Sequence, residues 1–133
     1  MDFIFLLKEY KLKVTPQRLA IVEILSSNGH MSIDELFKSL QNQFPTLSLA
    51  TVYKNIHAMS EKLLLSEVKI PDQKNVYELN KPEHYHIVCS KCDSIMDIDL
   101  DVSDLFKQAQ SISHFKLDAT SIVFNGVCSK CSA

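Results

Sequence analysis

The residues with the most evident chemistry in this chain are its four cysteines, which stand in two Cys-x-x-Cys pairs. Cys89 pairs with Cys92, and Cys128 pairs with Cys131. Two intervening residues allow both thiolates of such a turn to reach one tetrahedral Zn²⁺ at about 2.3 Å. Free cysteines and local disulfides are the alternatives, but the pairing leaves no cysteine over. The spacing therefore predicts one structural Zn²⁺ per chain, held by all four sulfurs.

A second group of donors, imidazoles and carboxylates, lies close to the first cysteine pair. His84 and His86 shortly precede Cys89. Side chains alternate along an extended strand, so the two histidines point to one face and Cys89 to the other. One short strand would then serve two metals on its two sides. Three further candidates from elsewhere in the chain complete the set, namely Glu78, Asp97 and His30.

Three imidazoles and two carboxylates suit Fe²⁺, Mn²⁺, Zn²⁺, Co²⁺ or Ni²⁺ and do not choose among them. A purely structural role is the alternative for individual members of this set. His30 stands at a loop tip, where a histidine is usually solvated. Asp97 belongs to the acidic run 93–104, which would also suit a solvated face.

The first eighty residues predict a helical frame with a two-stranded wing. Thr15-Pro16 has the residues of a capped helix start, and Ser32 with Glu35 matches a capping box. Helices are expected over 3–12, 15–28, 32–44 and from Ser48 onward, and strands over 65–70 and 75–79. Helices followed by a wing are typical of a winged helix-turn-helix. The helix after Pro45 would be its recognition helix.

Asn80-Lys81-Pro82 is a short polar link, and it predicts a domain boundary. The first domain would comprise residues 1–80 and the second residues 81–133. Beyond the link the pattern predicts strands over 84–89 and 94–97, a helix over 102–112 and a β-rich run over 115–124. The expected fold class is α+β, with an N-terminal winged helix-turn-helix domain followed by a C-terminal α/β domain that carries the structural zinc.

Composition limits the function classes. The 133 residues carry a formal net charge of −2, and residues 1–80 contain nine Lys or Arg and nine Asp or Glu. Any binding of DNA must therefore come from local placement of charge. No apolar run approaches the roughly 20 residues of a membrane span, and the apolar start lacks a basic region and a cleavage site. We expect a cytoplasmic protein without a membrane partner.

Four segments make the sequence resemble the ferric uptake regulator (Fur) family across essentially its whole length. They are Lys13-Val14-Thr15-Pro16-Gln17-Arg18, Ser48-Leu49-Ala50-Thr51-Val52-Tyr53-Lys54-Asn55, His84-Tyr85-His86-Ile87-Val88-Cys89-Ser90-Lys91-Cys92 and Cys128-Ser129-Lys130-Cys131. Within the family the chain is most similar to the peroxide-sensing PerR repressors, because of Tyr85, Asp97 and the four-cysteine site. Glu78 departs from that pattern, since peroxide sensors have Asp there and iron sensors have Glu.

This resemblance implies a homodimeric repressor whose first domain binds double-stranded operator DNA and whose second domain dimerises. It implies structural Zn²⁺ on Cys89, Cys92, Cys128 and Cys131, and regulatory Fe²⁺ or Mn²⁺ on His30, Glu78, His84, His86 and Asp97. The implied DNA-binding residues are Lys13, Arg18, Thr51, Tyr53 and Lys54. The residues expected to be sensitive to oxidation are His30 and His84.

The expected mechanism is a bridge between the domains. One metal held by donors from both would fix the angle between them, and so set two recognition helices about 34 Å apart, or a multiple of that distance. Iron-catalysed oxidation of a histidine ligand would open the bridge and end repression. An iron-responsive repressor with the same ligands is the first alternative. A His/carboxylate metalloenzyme is a remote one, because the sequence offers no substrate site beyond metal ions and peroxide.

Overall fold

The computed structural model describes residues 2–81, 84–118 and 120–133, which fall into two compact units, Met1–Asn80 and Lys81–Ala133. Pro82, part of the predicted link, lies outside the described residues. Within the described ranges, no helix is both long and apolar enough to cross a membrane.

The first unit contains four helices and a two-stranded sheet. In chain order the elements are α1 (Phe3–Glu9), α2 (Pro16–Asn28), α3 (Ile33–Gln41), α4 (Leu49–Glu61), β1 (Leu65–Val68) and β2 (Val76–Leu79). Thr15 and Ser48 cap α2 and α4, each accepting a hydrogen bond from the amide three residues on. Ser32 and Glu35 form a reciprocal capping box at α3. The predicted helix starts at these three positions are confirmed.

Two predicted helix ends were too late. The first helix ends at Glu9, not at residue 12, because Lys11 adopts a left-handed φ of 59° that a helix cannot accommodate. The third ends at Gln41, not at Phe44, although the Phe44 amide still donates to the Leu40 carbonyl at 2.8 Å. In both cases apolar residues continue to pack after the helical backbone has ended.

The helices of the first unit surround one hydrophobic core. Val52, Ile56 and Met59 form the buried face of α4, each no more than 1% exposed. They pack with buried residues from the other elements, which include Leu7, Ile21, Leu25, Leu36, Leu40 and Leu65. Because the apolar residues of α4 face inward at helical spacing, its opposite face is left for solvent.

A short backbone bridge joins the turn after α2 to the wing. Met31 and Tyr77 pair in antiparallel fashion: the Met31 amide donates to the Tyr77 carbonyl at 3.1 Å, and the Tyr77 amide to the Met31 carbonyl at 2.8 Å. Gly29 ends α2 with a φ of 84°, a conformation that glycine adopts without steric cost. This turn leads the chain directly into the bridge.

The second unit is built on a three-stranded sheet. Its elements are β3 (Tyr85–Cys89), β4 (Ile95–Ile98), α5 (Ser103–Ser113), β5 (Val123–Gly126) and the single-turn α6 (Ser129–Ser132). The central strand β3 pairs antiparallel with β4 and parallel with β5. The predicted β-rich run over 115–124 was wrong in extent, since among its described residues only Val123 and Phe124 are in a strand, which continues to Gly126. Strand propensity is realised only where a neighbouring edge is available.

Candidate functional site

Strand pairing brings the two cysteine pairs together. In the parallel register Cys89 lies opposite Gly126, so the chain leaving β5 carries Cys128 to the end of β3. The Cys128 amide donates to the Cys89 sulfur at 3.4 Å, and the Cys92 amide donates to the same sulfur at 3.5 Å. All four sulfurs lie within 4.8 Å of one another. Residues that are far apart in sequence thus form one sulfur cluster.

The dimensions of the cluster fit Zn²⁺. Four sulfurs placed at about 2.3 Å from a central ion lie about 3.8 Å apart along the edges of a tetrahedron. The sulfurs of Cys92 and Cys128 are separated by 3.8 Å. A cluster of this size needs little rearrangement to hold a tetrahedral ion.

The electrostatics of the cluster also favour a cation. Hydrogen bonds from the backbone amides of Cys128 and Cys92 lower the pKa of the Cys89 thiol to about 6. The Ser94 hydroxyl lowers the pKa of Cys92. Hydrogen bonding to Cys128 raises the pKa of the Cys131 thiol to about 12. The raised pKa disfavours ionisation of Cys131, and a divalent cation that binds the thiolate would remove that obstacle.

The first unit holds an imidazole–carboxylate pair whose carboxylate is buried. Met31 and Tyr77 are bridged antiparallel, so their neighbours His30 and Glu78 also face each other. His30 Nε2 lies 2.7 Å from Glu78 Oε2, and the Glu78 side chain is only 1% exposed. A buried carboxylate is costly unless a cation or strong donors satisfy it. This pair is therefore suited to form part of a metal site.

The second unit holds the other imidazoles and a carboxylate. The antiparallel register places His86 opposite Asp97, with His86 Nε2 at 3.4 Å from Asp97 Oδ1. His84 Nε2 lies 3.9 Å from the same oxygen, and the two imidazole rings are 4.7 Å apart. His84 and His86 thus converge on one carboxylate, while Cys89 belongs to the sulfur cluster. The structure brings these three donors together, as the alternation along the strand predicts.

Lys81 also contacts Asp97, although no sequence motif gives it a role. Its ammonium Nζ donates to Asp97 Oδ2 at 2.6 Å. The two residues are 16 positions apart, and no motif spacing links them. Only the pairing of β3 with β4 turns Asp97 back toward the beginning of the unit.

Four of the five predicted DNA-binding side chains are exposed. Thr51, Tyr53 and Lys54 lie on the solvent face of α4, and Lys13 precedes α2. Tyr53 is 53% exposed, although most large aromatic side chains of soluble proteins are largely buried. This face of α4 is accessible to a partner.

Arg18, the fifth predicted DNA-binding residue, is partly buried and engaged within the unit. Its Nε donates to Asn55 Oδ1 at 3.0 Å, and its Nη1 donates to the Lys13 carbonyl at 3.2 Å. Arg18 therefore ties the segment before α2 to the exposed helix α4. The role of Asn55 was not predicted from the sequence, because its partner lies 37 positions away.

Comparison with known proteins places this geometry in context. The ferric uptake regulator family model matches residues 9–125. The peroxide operon regulator of Bacillus subtilis (strain 168) is 35% identical over 128 residues, which cover 95% of this chain and 88% of that one. The Campylobacter jejuni peroxide stress regulator has a TM-score of 0.72 at 34% identity, covering 98% of this chain and 100% of that one. The Vibrio cholerae ferric uptake regulator has a TM-score of 0.77 at 30% identity, covering 96% and 100%. The predicted α+β fold class is confirmed.

Proposed function

The chain belongs to the ferric uptake regulator family, and on that premise we propose that it is a metal-dependent repressor of transcription that responds to peroxide. The observation that carries the proposal is the division of donors along one strand. Cys89 lies in a sulfur cluster, whereas His86 faces the Asp97 carboxylate. Thiolates hold an inert structural ion, and imidazoles with carboxylates hold an exchangeable one.

Zn²⁺ is the proposed structural ion, one per chain. Cys89, Cys92, Cys128 and Cys131 would hold it, and their spacing in the folded chain supports that assignment. A closed site with four sulfur ligands leaves no position for substrate. Its role is to join the end of β3 to the segment after β5.

Fe²⁺ or Mn²⁺ is the proposed regulatory ion. The residues that would hold it are His30, Glu78, His84, His86 and Asp97. Their chemistry fits such an ion, because Glu78 is a buried carboxylate and the donors are of the nitrogen and oxygen type. We propose that one ion is shared between the pair in the first unit and the three donors in the second. Binding to both halves would favour the DNA-competent arrangement over the others.

Bound Fe²⁺ would supply one-electron reduction of peroxide beside the residues that hold it. Imidazole is more readily oxidised than carboxylate, so His30 and His84 are the proposed targets. One oxygen atom of H₂O₂ is added to the ring, and water leaves with the other. The oxidised ring is a poor ligand, so the shared site opens and repression ends. With Mn²⁺ in its place the histidines would be protected, because Mn²⁺ does not readily reduce peroxide under the same conditions.

The proposed partners are double-stranded operator DNA and a second copy of the chain. Tyr53 and Lys54 on α4, together with Lys13 before α2, supply the DNA-facing groups. The second unit exposes large apolar side chains suited to dimerisation, and Leu105, Ile112 and Phe115 are each at least 60% exposed. The dimer would present two recognition helices to successive major grooves. Such a repressor acts on DNA in the cytoplasm and performs no catalysis for its host.

An iron-responsive repressor is the second candidate. The observation that favours it is Glu78, a Glu at the position where the resemblance assigns Asp to peroxide sensors. The same ligands serve either role, so the two differ only in the signal that ends repression. Removal of iron would end repression by the iron-responsive repressor. Peroxide, in the presence of iron, would end repression by the peroxide-responsive one.

The deciding experiment is operator binding by the zinc-loaded protein with Fe²⁺ or Mn²⁺, before and after dilute H₂O₂, followed by mass spectrometry of the peptides. We expect loss of binding only with Fe²⁺, and one added oxygen atom on the peptide of His30 or His84. His114→Ala is the matched control, since His114 follows α5 and belongs to neither donor group. Oxidation of cysteines alone would replace the proposal with a thiol switch. Full binding after peroxide would favour the iron-responsive repressor.

A further inference from the structure

We propose that Lys81 is an internal competitor of the regulatory metal, because its ammonium group binds one oxygen of the Asp97 carboxylate on which the metal would also draw. This inference rests on the proposed function, in which Asp97 is a metal ligand. It assigns a role to a residue that lies outside both donor groups, in the link that begins the second unit.

The two carboxylate oxygens of Asp97 face two kinds of partner. Its Oδ2 accepts a hydrogen bond from Lys81 Nζ at 2.6 Å. Its Oδ1 lies 3.4 Å from His86 Nε2 and 3.9 Å from His84 Nε2. The carboxylate thus faces a cation on one side and the proposed metal-binding imidazoles on the other. A charge-assisted bond of this length is among the strong hydrogen bonds of proteins.

Lys81 opposes metal binding in two ways that act in the same direction. A protonated lysine has three donors and no acceptor, so it cannot serve as a ligand while it holds its proton. Its charge also repels an incoming divalent cation. A metal that binds Asp97 through Oδ1 must share the carboxylate with the ammonium group, and one that takes both oxygens must displace that group. In either case the ammonium group lowers the observed affinity.

The exposure of the pair sets the size of the effect. The side chains of Lys81 and Asp97 are 42% and 33% exposed, so water screens their attraction. Exposed ion pairs typically shift an equilibrium by about two- to fivefold, and we expect an effect within that range. Such a shift raises the metal concentration at which the repressor engages DNA while leaving the ligand set unchanged.

The test measures the dissociation constant for Mn²⁺ by calorimetry on the zinc-loaded full-length chain. Lys81→Met removes the charge and retains the apolar stem, and it should tighten Mn²⁺ binding about two- to fivefold. Lys81→Arg retains the charge and should bind close to the original affinity. Lys107→Met, on the exposed surface of α5, is the matched control and should change nothing.

A double-mutant cycle with Asp97→Asn separates the ion pair from a general charge effect. In the Asp97→Asn background, Lys81→Met should bring no further gain, because the carboxylate for which it competes is gone. An equal gain in that background, or unchanged affinity in Lys81→Met alone, would overturn the competitor role and leave the metal site intact. Unchanged Mn²⁺ affinity in Asp97→Asn alone would instead remove Asp97 from the proposed site, and the competitor role with it.

Discussion

Replacement of Cys128 by serine removes one of the four sulfurs and tests how far the second unit depends on zinc. We expect Cys128→Ser to lose its Zn²⁺ and the order of its sheet, and to dimerise more weakly. The first unit has its own hydrophobic core, which includes Leu25, Leu36 and Ile56, so we expect it to remain folded.

The magnitude follows from how little the second unit buries. Among its described residues only Tyr85, His86, Val88 and Cys89 are buried. Burial of an aliphatic or aromatic side chain contributes about 1.5–3 kcal/mol. A structural zinc contributes about 10–16 kcal/mol in small zinc-dependent domains. In a single chain a Zn²⁺ ion at this site would therefore stabilise the second unit more than its buried side chains do, and Tyr85 and Val88 could not compensate for its loss.

Hydrogen exchange resolved by peptide, together with zinc content, is the appropriate assay. Protection should fall over Tyr85–Cys89 in the variant and remain over Pro16–Asn28. Ser129→Ala is the matched control, because Ser129 is an exposed neighbour of Cys128 that offers no sulfur. A zinc-free Cys128→Ser chain whose β3 amides stay as protected as before would refute the reasoning.

Four further substitutions test the proposed switch. His30→Ala should retain Mn²⁺ binding at reduced affinity and lose most of the metal dependence of operator binding, measured by fluorescence anisotropy; full metal dependence would contradict the shared site. Tyr53→Ala should weaken operator binding at least tenfold with zinc content unchanged, whereas unaltered affinity would remove Tyr53 from the interface. Arg18→Gln and Asn55→Ala should each weaken operator binding. The double variant should lose less than the sum of the two single losses, because both substitutions break the same hydrogen bond. A fall of about 0.9 in the salt-dependence slope of Arg18→Gln would instead indicate a direct phosphate contact.

Local features of the fold were predictable from the sequence. The helices that begin after Thr15, Ser32 and Ser48 are capped by these side chains, which accept hydrogen bonds from amides three residues away. All the residues that determine each helix start therefore lie within a short stretch of sequence. The burial of Val52 and Ile56 beside exposed Tyr53 likewise follows from helical periodicity. The helix ends were less predictable, since apolar residues beyond them still pack.

Features that join distant segments were not predictable in detail. The extent of β5 depends on where β3 offers a parallel edge, and the sequence around Phe115 does not contain that information. The sequence and its resemblance nominated His30 and Glu78 as ligands. The bridge that makes them neighbours is a backbone pairing with no side-chain signature. Lys81 was missed for the same reason, because its partner becomes adjacent only once β4 has folded back.

The register of β3 has a consequence for how the chain is made. A slip of one residue against β4 would place Tyr85 or Ile87 opposite Asp97 and turn His86 to the other side of the sheet. If β3 slipped by one residue against β5 as well, Cys89 would no longer lie opposite Gly126 and would move away from the segment that follows β5. The sulfur cluster can therefore close only when β3 has the register that also places His86 opposite Asp97. Cys128 and Cys131 are synthesised after all three strands, so the sulfur cluster closes last. We therefore expect zinc incorporation to precede productive binding of iron or manganese in a newly made protein.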